Sequence, residues 1–279
     1  MIRTVALAVA MSLLAGAAIA QEAKPPTCAA APRDLAAIKP ALSHTAARIE
    51  QARAVTIVAV GSSSTQGVGA TDPGLNYPSQ LEADLAARLP GIAIRVLNRG
   101  KGGEDAEEEL ARLRRDVIAE HPDLVIWQVG TNAVLRRDDL ESDEVLLRRG
   151  VDLLKQSKAD VVLMDLQYAP RVVERRSTAE MEQLIAEIAE HTGVGLFRRF
   201  GLMQYWRVTR QAESPALVGI DGLHMTDAGY ECLAAALANA LVSNWEARRP
   251  SAQHAGGPPQ KFANIPPADA QPRGETGPR

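Results

Sequence analysis

VTIVAVGSSSTQGVG, residues Val55–Gly69, begins with seven uncharged residues rich in β-branched side chains, the pattern of a strand buried on both faces. The strand pattern stops at Gly61. Four consecutive hydroxyl residues follow, Ser62, Ser63, Ser64 and Thr65; Gly67 and Gly69 close the turn, and a helical pattern sets in from about Asn76. Ligands of open α/β sheets bind at the carboxyl ends of the strands, so a serine in this turn is placed to react.

Outward from that turn, helical and strand patterns alternate. Tyr77–Leu89 carries Leu81, Leu85 and Leu89 at i, i+4, i+8 spacing and reads as a helix. Ile92–Leu97 is a strand pattern, and Glu104–Glu120 a charged amphipathic helix with Leu110, Leu113 and Val117 on one stripe. Asp123–Val129 is a second buried strand. Then come a helix over Asp139–Lys155, a strand over Val161–Leu166, a helix over Thr178–Thr192 and a short strand over Val194–Phe197. The last helix runs from Thr226 to Trp245, with Thr226 as N-cap and Asp227 in the dipole-favoured first turn. Upstream, residues 32–52 are mildly amphipathic and read as a helix broken or started near Pro40. This alternation predicts a parallel sheet of about five strands with helices on both faces.

The two ends of the chain differ from this middle. Met1–Ala20 has one cation, Arg3, then an apolar run and Ala-Ile-Ala before Gln21, the pattern of a cleaved secretory signal peptide; the run is short for a membrane span and no stop-transfer flank follows, against the rival reading of an uncleaved anchor. Its removal takes the formal charge from -3 to -4, a balance that does not suggest a nucleic-acid partner. The cysteines, Cys28 and Cys232, form an even pair, which in an oxidising compartment is a candidate disulfide joining the leading segment to the last helix. The tail from Arg248 is rich in Pro, Gly, Ala and Gln, and such a composition predicts disorder. His44, His121, His191 and His254 have no Cys or acid at ligand spacing, so no metal is expected.

The strand ends carry the chemistry. Beyond the serine turn lie Asn98-Arg99-Gly100-Lys101-Gly102-Gly103-Glu104, whose glycines leave backbone N–H groups unobstructed, and Gly130-Thr131-Asn132, which adds a carboxamide donor. Asp221-Gly222-Leu223-His224 precedes the last helix. A serine hydroxyl is a weak nucleophile until an imidazole takes its proton, and a carboxylate fixes that imidazole's tautomer. Asp221 and His224, three apart across a glycine, suit those roles. Gly103 N–H, Asn132 Nδ2 and the nucleophile's own N–H are candidate donors to a tetrahedral oxyanion. No Lys-Ser or Lys-Thr follows the glycines, which excludes a P-loop, and Gly67-Val68-Gly69 lacks the third glycine of a dinucleotide site.

On these four blocks the sequence resembles the SGNH hydrolases, the GDSL-type esterases and lipases, over about Val55 to Leu241. The resemblance implies a flavodoxin-like three-layer α/β/α sandwich. It also implies Ser63 as nucleophile, His224 as base, Asp221 as its orienter, Asn132 as side-chain oxyanion donor, and Gly103, five beyond Asn98, as the oxyanion glycine with Gly100 as fallback. Two positions depart from the pattern: Ser62 replaces the family's Asp, and Ala133 the acid often found after the Asn. Altered loop hydrogen bonding is expected from them rather than lost activity, with Ser62 and Ser64 as competitors for the nucleophile's role. The implied layout is a signal peptide over 1–20, an extension with a helix over 21–53, the hydrolase domain over 54–247 and the tail over 248–279.

For the substrate, Tyr168 and Arg171 after the fourth strand, and Tyr205, Trp206, Arg207 and Arg210 before the acid-base loop, are cleft candidates, against a reading in which Tyr205 and Trp206 pack the sheet edge. Aromatic residues are few for a long acyl channel. The expectation is therefore a periplasmic or secreted, cofactor-free esterase taking short acyl groups, acetyl first, from envelope carbohydrate or a small ester. The alternatives are a broader lipase or thioesterase and a non-catalytic envelope-binding domain.

Overall fold

A computed structural model describes residues 28–136, 140–209 and 216–247; the signal-peptide reading and the tail lie outside the described residues. Two short helices, α1 (Arg33–Ala36) and α2 (Ser43–Glu50), lead into β1 (Val55–Gly61). The single turn α3 (Ser63–Gln66) follows, then α4 (Tyr77–Arg88), β2 (Ile94–Gly100), α5 (Ala106–Asp116), β3 (Leu124–Gln128) and α6 (Thr131–Arg136). The remainder comprises α7 (Leu140–Lys155), β4 (Asp160–Met164), α8 (Pro170–Val173), α9 (Thr178–Thr192), β5 (Gly195–Phe197), α10 (Arg199–Thr209) and α11 (Asp227–Glu246).

All five strands pair in parallel in the order β2-β1-β3-β4-β5. Successive residues of a strand point to opposite faces, and both faces are covered. Ile57, Ala59, Leu124, Ile126, Val162 and Met164 face one core with α2, α4, α10 and α11. Val58, Val60, Val125, Trp127, Val161 and Leu163 face another with α5, α7 and α9. Strands buried on both sides cannot alternate apolar with polar, which is why they appear as continuous apolar runs. The order changes direction between β2 and β3, on either side of β1. In such a sheet the crevice at the carboxyl ends of β1 and β3 is where ligands sit.

The leading segment is part of this packing: Ile38, Leu42, Ala46 and Ile49 are buried in the same core as α11. Asn244 of α11 accepts from Leu42 N at 2.8 Å and donates to Ile38 O at 2.8 Å. Cys28 and Cys232 are joined, with their Cα atoms 5.7 Å apart.

Some boundaries move from the expected ones. The fifth helix starts at Ala106 rather than Glu104, because Asp105 caps it through the N–H groups of Glu107 and Glu108 in a capping box. The cleft candidates Tyr205, Trp206 and Arg207 lie on the helix α10, whose Leu202, Met203 and Trp206 are buried. Trp206 is only 2% exposed and donates its indole N–H to Ala29 O at 3.1 Å, so it wedges the leading segment onto the domain and offers no surface to a ligand. No helix of the described residues is long and apolar enough to cross a membrane.

Candidate active site

The turn after β1 is built on a buried carboxamide. Gln128, at the end of β3, has its Oε1 within reach of Ser62 N at 3.0 Å, Ser62 Oγ at 3.1 Å, Ser64 Oγ at 3.0 Å and Thr65 Oγ1 at 3.3 Å. Ser62, Ser64 and Thr65 are buried and turned to this group. Ser63 is the exception. Its hydroxyl points out of the turn and lies 3.0 Å from His224 Nε2. Among the hydroxyls of the turn, Ser63 is the one within hydrogen-bond distance of an imidazole, while Ser62, Ser64 and Thr65 turn to Gln128.

His224 is held by the loop that carries it. Val218 bridges Met225, Gly219 N donates to His224 O at 2.8 Å, and Thr226 N donates to Leu217 O at 3.0 Å, a small hairpin with Asp221 near its tip. Asp221 Oδ1 accepts from Leu223 N and His224 N, each at 3.0 Å, and Oδ2 meets His224 Nδ1 at 2.5 Å. Burial alone would raise the Asp221 pKa, but the N–H groups of Leu223 and His224 and the ring outweigh it and hold the carboxyl below its usual range. Two bonds fasten the loop to the segment after β4: Arg171 N to Gly222 O at 3.0 Å and Gln167 Nε2 to Leu223 O at 3.4 Å.

Against α3 lies the glycine-rich loop after β2, with Gly102 next to Ser63. Gly100 permits the approach, since a Cβ on it would stand 2.1 Å from Gln66 N of α3. Lys101 N donates to Gly61 O at 2.9 Å, Gly100 N to Asn98 Oδ1 at 2.9 Å and Gly102 N to Gln66 Oε1 at 2.7 Å. Gly100 is therefore not available as the fallback donor: its amide is used and it is packed against α3. Gly103, at φ +84° with open space where a Cβ would be, has an N–H that meets no acceptor among the described residues, and the same holds for Ser63 N–H. Asn132, in the first turn of α6, spends one Nδ2 hydrogen on Glu104 O at 2.7 Å and has another to give. Chemically, this is a hydroxyl on an imidazole on a carboxylate, beside three uncommitted N–H groups.

Of the remaining residues considered for the site, Tyr168 is half-buried and meets Phe200 edge-on with ring centroids 5.2 Å apart. Tyr205 is half-buried on the α10–α11 side of the sheet. Sequence reasoning missed Gln128, Gln66 and Arg199. Arg199 is fully buried, donates from Nη1 to Ser64 Oγ at 2.9 Å and from Nε and Nη2 to Asp165 O. Gln128 had a signal, a polar residue ending an apolar strand; Arg199 had none.

The chain matches the model of the non-GDSL lipase-like family over residues 27–247. It belongs to that family. Among curated proteins it is 28% identical over 185 residues to an acetylxylan esterase of Geobacillus stearothermophilus, covering 62% of this chain and 83% of that one. It is 27% identical over 174 residues to an arylesterase of Vibrio mimicus, covering 60% and 83% respectively. A crystal structure of the Geobacillus stearothermophilus acetylxylan esterase superposes with a TM-score of 0.58 at 26% identity, covering 68% of this chain and 95% of the other. A catalytic mutant of the same esterase carries alanine in place of a serine. This member of the non-GDSL lipase-like family is accordingly an ester-hydrolysing enzyme.

Proposed function

We propose that the enzyme removes short acyl groups, acetyl first among them, from carbohydrate, with Ser63 as nucleophile, His224 as base and Asp221 as its orienter. The observation that carries this reading is the unbroken hydrogen-bonded line from Ser63 Oγ to His224 Nε2, 3.0 Å, and from His224 Nδ1 to Asp221 Oδ2, 2.5 Å. His224 takes the Ser63 proton as Oγ attacks the acyl carbon, Asp221 stabilises the imidazolium, and the proton passes to the leaving alcohol. Water then repeats the sequence on the acyl-enzyme, releasing the acid. Ser63 N–H, Gly103 N–H and the Asn132 Nδ2 hydrogen not spent on Glu104 O receive the oxyanion in both steps, in keeping with their lack of another acceptor among the described residues.

The acetyl preference and the carbohydrate alcohol rest on the acetylxylan esterase relative; the arylesterase relative supports tolerance of aryl leaving groups. Tyr168 is a candidate wall of the alcohol side, next to the segment that fastens the Asp221 loop. The Cys28–Cys232 bridge and the leader pattern of residues 1–20 support action outside the cytoplasm.

Two measurements test the reading. A fluorophosphonate probe is expected to label the protein covalently and Ser63→Ala to abolish labelling; undiminished labelling or turnover in Ser63→Ala overturns the assignment. With p-nitrophenyl esters, kcat/KM is expected to be highest for acetate and to fall with chain length, and acetylated xylo-oligosaccharides are expected to release acetate. A rise toward eight carbons, or no acetate release, removes the substrate assignment.

A further inference from the structure

Arg112 lies on α5, outside every block that carries the proposed chemistry, and is 7% exposed. Besides a contact from Nη1 to Asp116 Oδ2 of its own helix at 3.5 Å, its guanidinium makes two bonds that reach the site from different elements. Nε donates to Glu104 Oε2 at 2.5 Å, and Nη2 donates to Gly61 O at 3.2 Å. Glu104 directly follows Gly103, and its backbone O holds Asn132 Nδ2 at 2.7 Å. Gly61 stands two residues before Ser63, and its O also accepts from Lys101 N at 2.9 Å. Lys101 Nζ closes the set at 2.8 Å from Glu104 Oε1. One buried fork therefore spans the strand end that leads to Ser63 and the residue that adjoins Gly103 and holds Asn132.

We infer that Arg112, acting through Glu104 and Gly61, is a positioning residue that sets the spacing of the three oxyanion donors; this rests on the donor assignment proposed above. The planar guanidinium fits the task because its N–H groups leave in fixed directions, so one group can hold two acceptors at a fixed separation. A lysine in its place keeps the charge but loses that geometry. The arrangement acts on the transition state rather than on substrate uptake, because the donors meet full negative charge only in the tetrahedral species.

The test uses the full chain with Arg112→Lys, Arg112→Met and Glu104→Gln, assayed on p-nitrophenyl acetate and by binding of an arylboronic acid, which forms a tetrahedral adduct with an active-site serine. A displacement of about 1 Å at reacting groups costs on the order of 100-fold, so a kcat loss of about 10- to 100-fold is expected in both Arg112 variants, with KM within about threefold. Boronate affinity is expected to fall in parallel with kcat. A merely structural role lowers Tm and leaves the boronate affinity of the folded protein unchanged. Folded Arg112 variants with kcat and boronate affinity within about twofold of the parent overturn the inference. So does loss of folding in all three variants, since the pair then serves the fold as a whole. Retained turnover in Ser63→Ala is a different failure: it removes the proposed function and leaves the Arg112 effects on rate to be assigned to another centre.

Discussion

At the scale of single residues, the serine turn separates two jobs that neighbouring hydroxyls share in sequence. Ser64 is a joint of the scaffold: its Oγ donates to Gln128 and accepts from Arg199. Replacing it by alanine leaves the buried Arg199 Nη1 short of an acceptor, which costs about 1–3 kcal/mol. Ser64→Ala is therefore expected to unfold at lower denaturant while its folded fraction keeps kcat within about threefold, as urea melts and initial rates will read. Asn132→Ala is the converse. Its Nδ2 has one hydrogen left after Glu104 O, and removing an oxyanion donor costs about 100- to 1000-fold in rate, so kcat is expected to fall by that factor with KM little changed. Tenfold or less in steady-state kinetics removes Asn132 from the donor set. The residues behind these two predictions were not equally legible. Asn132 and Ser63 stand at strand ends, where the sequence marks them by a break in an apolar run. Arg199 bonds residues 34 and 135 positions away, Asp165 and Ser64, and no periodicity encodes such a pairing.

At the scale of elements, the helices and strands that follow one period were legible almost to their ends, as α9 over Thr178–Thr192 illustrates. The segment that became α10 was not. Arg199, buried at its start, interrupts the apolar stripe of Leu202, Met203 and Trp206, and aromatic residues between arginines suggested a ligand surface instead. Arg199 donates to Asp165 O just after β4, where carboxylates also tie α9 and α10 to the sheet. Asp165 Oδ1 accepts from Phe200 N at 2.9 Å and Glu182 Oε1 from Leu166 N at 3.1 Å. Burial, with the neighbouring Asp165 carboxylate adding to it, pushes Glu182 up to about 9, while burial lifts Asp165 to about 6. Both folded values lie above the ordinary 4.5 and 3.8, so the folded protein binds protons that the unfolded chain has released. The linked stability is fully present below the ordinary values and is lost as pH rises toward the folded ones, at up to about 1.4 kcal/mol per pH unit for one proton. Tm is expected to decline between about pH 5 and 9, and Glu182→Gln, neutral at every pH and able to keep the Leu166 bond, to flatten that decline. Parallel Tm-against-pH curves for the two proteins assign the loss to other groups.

At the scale of the whole molecule, the first and last described segments pack on the same face of the sheet, and one covalent bond fixes that meeting. Cys28 and Cys232 are 204 residues apart, so their bridge closes nearly the entire described chain into a loop. Loop-closure entropy for a span of that length is worth about 5 kcal/mol in the chain-entropy model, and native bridges in practice deliver about 2–4 kcal/mol. The leading segment does not depend on the bridge alone. Ile38, Leu42, Ala46 and Ile49 are buried, Trp206 bonds Ala29 O, and Asn244 bonds the chain on both sides of Pro40. Opening the bridge is thus expected to free the unfolded chain more than to undock the folded one. At about 2–4 °C per kcal/mol for a domain of this size, Tm falls by about 5–15 °C under dithiothreitol or in Cys28→Ser, a variant that leaves Cys232 as a buried thiol. Esterase activity at 25 °C is expected to stay within about twofold, because Gly219 and Asp221 hold His224, Gln167 and Arg171 hold the loop that carries it, and none of these contacts runs through Cys28. Scanning calorimetry with and without reductant, paired with initial rates on p-nitrophenyl acetate, separates the two effects. Equal Tm values exclude a stabilising bridge, and a rate that collapses while the protein stays folded ties the leading segment to the active site.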